Sequence, residues 1–271
     1  MRALAEYIMR GRKQAALVVG LTAALPLLFW LSAAGASLVL LRRGLAQSIN
    51  VIVWALVPAL IWALYGDPYV LLVIAGSLVM AHLLRESTSW IRVLLCSMLV
   101  GLGAAWMLSV VFADTIGQLS QMMQEAMPNV FAEAWQQLDA ESQARMLELL
   151  TPVLTGLMAA VAQMLSLAAL VLARYWQAVL YNPGGFGQEF RAIRLPAAVA
   201  GLLVMGMLLA PRLSTQAGAL MPLCAIPLGV AGVALVHGVV ARYKMGRFPL
   251  IGFYVGMFLF IQLLYPLLVI L

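Results

Sequence analysis

The sequence predicts an all-α polytopic membrane protein, a transmembrane helical bundle, and three observations carry that expectation. Hydrophobic residues make up 65% of the chain and charged residues only 10%, where an average soluble domain carries roughly 25% charged residues. Apolar runs of spanning length recur from end to end. They do not alternate with the two-residue period of a barrel strand, so helices are left to satisfy the backbone in lipid. The basic residues collect on alternate connections between the runs, so topology accounts for the formal charge of +6 and a nucleic-acid partner is not indicated. Cys96 and Cys224 lie inside apolar runs, which suits neither a disulfide nor a metal site.

The elements follow in order. Residues 1–14 are a basic, interfacial lead-in. Residues 15–41 form an apolar run of 27 interrupted by Pro26, too long for one straight crossing of about 20 residues and too short for two full ones. Arg10, Arg12, Lys13, that run and Ala34-Gly35-Ala36 resemble a signal peptide with its cleavage site. The run exceeds the usual apolar core of such a peptide, so the segment reads as an uncleaved anchor. Further apolar segments follow at about 46–65, 69–84, 91–113, 151–180, 196–211, 217–241 and 249–271. The expectation is a single integral membrane domain over 1–271, with about eight or nine membrane segments, the first two short or re-entrant.

Orientation follows from counting. With an even number of crossings in residues 15–41, one side holds Arg2, Arg10, Arg12, Lys13, Arg42, Arg43, Arg85, Arg92, Arg174, Arg191, Arg194, Arg242, Lys244 and Arg247. The other side holds Arg145 and Arg212, so the split is 14 of 16 against 2. A single crossing gives a far weaker bias. Because Lys and Arg concentrate on the cytoplasmic side, the even arrangement is preferred. It describes a multi-pass protein of a bacterial inner (cytoplasmic) membrane, with a cytoplasmic N-terminus and residues 114–150 outside.

That outer insertion carries six carboxylates against Arg145 alone, a net of −5. Ile116, Leu119, Met123 and Met127 keep helical spacing, as do Phe131, Trp135 and Leu138. Asp139 suits the N-cap of a helix that runs into the next span, and Pro128-Asn129 is expected to break the two helices. The pair reads either as amphipathic helices packed over the bundle or as a mobile lid or docking surface.

The most distinctive interruption is residues 181–196, YNPGGFGQEFRAIRLP, a cytoplasmic loop. Asn182, Pro183, Gly184 and Gly185 are turn residues: proline presets φ and glycine accepts φ > 0. Phe186, Phe190 and Ile193 then recur at i, i+4 and i+7, a short helix with one face buried at the headgroup level. The glycine cluster lacks a following Lys-Ser or Lys-Thr, so a turn accounts for it better than a phosphate cradle.

Enzyme motifs are absent: there is no GxxxxGK[ST], HExxH, CxxC or GxSxG. No catalytic residue, metal or cofactor is therefore assigned. A cytoplasmic cluster is assigned instead, comprising His82, Glu86, Arg174, Asn182, Gly184, Gly185, Glu189, Arg191 and His237. Its two histidines fall near the cytoplasmic ends of their spans, where each is structural or, if those ends meet, a shared proton-sensitive or ligand-binding point. Glu86 and Glu189 are each placed to pair with Arg85, Arg174, Arg191 or Arg194. Ser109, Gln163 and Gln262 are polar groups deep in spans that line a ligand cavity or bond across helices. Ala16, Gly20 and Ala24 form a small-residue ladder, a face for internal packing, a membrane-protein partner or a second copy.

The segment Ala173-Arg174-Tyr175-Trp176-Gln177-Ala178, with Tyr181-Asn182-Pro183-Gly184-Gly185-Phe186 and Glu189-Phe190-Arg191, resembles the proteobacterial branch of the YybS-like membrane proteins. That family is a multi-span domain of unknown function. It is distantly similar to the substrate-binding S-components of energy-coupling-factor transporters, whose small-residue ladder docks a coupling subunit. The resemblance implies a small-molecule or lipid binding or transport component without its own ATPase, with Ala16, Gly20 and Ala24 as the docking ladder. The alternative is a non-catalytic scaffold. A binding component calls for a closed cavity lined by Gln163, Ser109 or Gln262; a scaffold calls for a filled core and an exposed apolar groove.

Overall fold

A computed structural model describes residues 1–246 and 248–270, and the ordered elements among them are all helical. Arg247, one of the fourteen basic residues counted above, lies outside the described residues. The most enclosed element is not one of the helices long enough to span. It is α3, Phe29–Arg43, in which all ten residues 32–41 are buried. A helix that is apolar or small on every side belongs in the centre of a bundle. Here Ser32, Ala33, Ala34, Gly35, Ala36 and Ser37 keep its girth small enough for neighbours to close in all round. The cleavage-site-like Ala34-Gly35-Ala36 is thus core.

Helices α1, Arg2–Arg10, and α2, Arg12–Ala24, precede it. The Pro26 break turns the chain back on itself. Gly35 of α3 faces Val19 of α2 and Ile8 of α1, and Arg43 Nη2 donates 3.0 Å to the Met9 carbonyl. The run 15–41 therefore doubles back on itself as two short helices. At 13 and 15 residues they are about 20 Å long, against a hydrocarbon core of about 30 Å.

Around this hairpin stand α4, Leu45–Leu64; α5, Tyr69–Ser87; and α6, Trp90–Val111. Helix α7, Ala113–Val130, and a single short turn of helix, α8, Ala132–Gln136, lead to α9, Ala140–Tyr181, the longest element at 42 residues. After α10, Gly185–Arg191, come α11, Ala197–Leu213, a 3-10 turn at Thr215–Ala219, and α12, Leu220–Arg242. The chain closes with α13, Phe248–Leu259, and α14, Ile261–Ile270. Five helical segments are long and apolar enough to cross a membrane: α4, α5, α6, α9 and Thr215–Arg242. There are six if α13 and α14, bent by 117°, count as one broken span. The expected eight or nine are not reached by length and composition, because α2, α3 and α11 are shorter than a straight crossing requires.

The last apolar segment is not a straight helix. Tyr254 of α13 meets His237, whereas Tyr265 and Leu268 of α14 pack against Gly229 and Gly232 of α12. The chain thus passes His237 and, beyond the bend, α14 runs along the middle of α12. At Gly232 the approach is backbone to backbone, against the Leu268 carbonyl.

The acidic insertion is an arm. Ser120 accepts from Thr151 Oγ1 at 2.8 Å and Gln124 Nε2 donates 3.1 Å to the Leu147 carbonyl, so α7 lies against the first turns of α9. The packed face is Ile116, Ser120 and Gln124. Leu119 and Met123, expected on it, are exposed. The expected break at Pro128-Asn129 falls instead at Phe131, because α7 continues through Pro128 with the loss of only one intrahelical donor. Asp139 does occupy the N-cap position of α9, although its side chain makes no capping bond.

The small-residue ladder faces inward in part. A Cβ at Gly20 would make ordinary contact with α4, 3.5 Å from the Trp54 carbonyl oxygen, and Ala16 is half-buried while Ala24 is exposed. Its neighbours Ala15, Val19 and Ala23 are the buried ridge of α2.

Candidate functional site

The chemistry-bearing side chains gather where α3, α5, α9 and α12 end. The last turns of α3, α5 and α12 carry Arg42 and Arg43, Arg85, and Arg242 respectively. A cation there offsets the partial negative charge of unsatisfied helix carbonyls. Arg85 Nη1 donates 2.5 Å to the Leu41 carbonyl, while the Arg42 guanidinium lies 4.0 Å over the Tyr181 ring. Several arginines counted as topology signals thus also hold helix ends together.

Helix α9 ends at Tyr181, and the chain turns through Asn182-Pro183-Gly184. Gly184 has φ 87° and ψ −17°, the third position of a type II turn, which a side chain would strain. The Gly185 N–H closes the turn on the Asn182 carbonyl at 3.0 Å. Gly185 itself is tight against the Asn182 side chain. This reversal lays α10 back along α9 and onto α12, where the Arg191 carbonyl approaches Gly238. Ile193 is buried and Phe186 and Phe190 are partly buried against the core, as their spacing predicts, but the helix ends at Arg191, so Ile193 is buried from the chain just past it.

Glu189 is then turned toward α9. Arg174 Nε donates 2.9 Å to its Oε2, and Nη2 donates to Oε1, so the pair is bidentate. The remaining Arg174 nitrogen, Nη1, donates 2.6 Å to Gln177 Oε1. Of the four arginines the sequence offers Glu189, the fold selects Arg174, fifteen residues earlier. Arg191 and Arg194 are exposed, and Glu86 makes no ion pair among the described residues.

Two cavities flank this pair. One, about 700 Å³, is lined by Leu41, Arg42, Leu84, Arg85, Glu86, Thr88, Arg174, Gln177 and Glu189. The other, about 780 Å³, lies between α9, α10, α12 and α13 and is aromatic. The Phe190 ring meets Phe186 at 5.7 Å and stands edge-on to His237 at 5.4 Å between centroids. His237 Nε2 and the Tyr254 hydroxyl share a 2.7 Å hydrogen bond. Gly184, Gly187, Arg191 and Tyr175 complete much of its wall.

The expected cluster is therefore divided. Glu86, Arg174 and Glu189 line the first cavity; Gly184, Arg191 and His237 line the second; Asn182 and Gly185 build the turn between α9 and α10. His82 is exposed on α5 and lines neither cavity, so the two histidines form no joint site. His237 is matched with Tyr254 instead, because α13 rather than α5 packs beside it. Sequence reading missed Arg42, Thr88 and Gln177, which come from elements far apart in the chain with no local pattern linking them.

The three deep polar residues do not share a cavity. Gln163 is fully buried in a filled core, donating 3.0 Å to Ser97 Oγ, with its Oε1 unpartnered. Ser109 is exposed and bonds back to the Trp106 carbonyl, and Gln262 is exposed on α14. The expected cavity lined by these residues is corrected: each lies on a different helix face, and the space beside Gln163 is taken by Leu223 and Gly101.

No protein-family model matches the chain, and no characterised protein or solved structure matches it. Among the described residues, no three His, Cys, Asp or Glu side chains are grouped to hold a metal ion.

Proposed function

We propose that the chain is a small-molecule binding component of a bacterial cytoplasmic membrane, serving transport or transfer without catalysis or an ATPase of its own. The observation that carries this reading is the aromatic cavity at the basic end. Phe186, Phe190, Arg191, His237 and Tyr254 converge there from α10, α12 and α13 around about 780 Å³, within the roughly 300–1,000 Å³ of ligand sites. Kinship with the YybS-like proteins belongs to the same proposal and rests on residues 173–191. Native mass spectrometry of protein extracted in a mild detergent is expected to show one bound non-protein molecule, lost in His237→Leu. A wild-type protein that emerges with no adduct from several detergents overturns the reading.

The orientation proposed with it places the basic end in the cytoplasm and the α7–α8 arm outside. Gly187→Cys and Gln136→Cys, both at exposed positions, are made in a background lacking Cys96 and Cys224. An impermeant maleimide on intact cells should label only the second. Labelling of both from one face sinks the arrangement. A scaffold remains the second reading, favoured by the filled core around Gln163 and by an apolar groove between α9, α12 and α14.

A further inference from the structure

That groove and the aromatic cavity adjoin and share a wall at Val171 and Phe190, and the geometry points to an anionic membrane lipid as the occupant. This rests on the binding reading above and names its ligand class. The groove holds about 550 Å³ and is lined almost wholly by apolar side chains, from Leu157 and Pro222 at one end to Phe190 at the other. Val171 and Phe190 line both spaces, so an apolar tail in the groove leads directly to a head under α10. A partner helix is a poor fit: at about 10 Å across, such a volume would immerse only about 7 Å of its length. An acyl chain is one methylene wide and matches.

Charge argues for the sign of the head. Glu189 is the only Asp or Glu after Glu148, and Arg174 already holds it. Arg191 lines the cavity, and Arg194, Arg242 and Lys244 are exposed on the elements beside it, with no carboxylate partner among the described residues. Trp90, edge-on to Phe186, and Tyr265 add aromatic walls to the groove.

The test incorporates the purified full chain into nanodiscs of equal phosphatidylglycerol and phosphatidylcholine and counts the lipids retained by native mass spectrometry. One retained lipid is expected, with phosphatidylglycerol preferred. Arg191→Gln, at an exposed position, should reduce that preference roughly fivefold, the factor one interfacial cation contributes. Ala168→Phe, which fills the groove from an exposed wall position, should lower retention of both lipids while size-exclusion and melting profiles stay as in the wild type. Retention indifferent to headgroup, or unchanged in both variants, overturns the proposal. So does an adduct that is a protein, or a soluble anion such as inorganic phosphate retained in place of the lipid; a soluble adduct would leave the binding function standing and remove only the lipid. Absence of any adduct removes both.

Discussion

Gly156→Leu is expected to dislodge the 3-10 turn and the start of α12 from α9, lowering the apparent melting temperature and opening residues 210–222 to protease. A Cβ at Gly156 would lie 2.5 Å from the Ala219 carbonyl oxygen, 2.7 Å from its Cα and 2.9 Å from its carbonyl carbon. These are backbone atoms and cannot rotate away. Overpacking in a well-filled core costs about 1–3 kcal/mol and sometimes more, and a backbone obstacle belongs at the upper end. Arg145, which donates 3.3 Å to the Pro211 carbonyl, would lose its tie in the same displacement. Gly117→Leu, on α7 with nothing within 4 Å of its Cβ position, is the control and should melt close to the wild type. Equal melting of the two variants would show that α9 and the turn are not in contact.

Phe190→Ala is expected to destabilise the detergent-purified protein more than Glu189→Gln. The ring packs against Phe186 and His237 and lines both the aromatic cavity and the groove. Its loss costs about 3 kcal/mol or somewhat less for a partly buried ring. Glu189 and Arg174 are about a third and a quarter exposed, at 34% and 23%, so their pair is worth more than a surface contact. Glutamine nevertheless keeps one oxygen for Arg174, and losing the charge should cost about 1–2 kcal/mol. Melting curves of the two variants, read side by side, decide it. If Glu189→Gln melts lower, charge rather than packing holds α10 in place.

What the chain determines locally was legible in the sequence. Helical spacing of Phe186 and Phe190 foretold the packed face of α10, since a period of 3.6 needs no knowledge of the partner, although the buried Ile193 falls two residues past the helix. Pro183-Gly184 foretold the turn, because only glycine enters φ > 0 without strain. Pro26 foretold the division of residues 15–41, and composition foretold the helical membrane class. Partner choice was not legible. That α3 sits in the centre, that Glu189 takes Arg174, that His237 meets Tyr254 rather than His82, and that Gln163 and Gln262 never share a cavity all depend on which helices become neighbours. In a chain this uniformly apolar, hydrophobicity distinguishes lipid from protein poorly, so it marks the helices without ranking their faces. Close packing at Gly156 and Gly232, and the few polar ties across helix ends, decide the neighbours, and those interactions exist only once the helices have met.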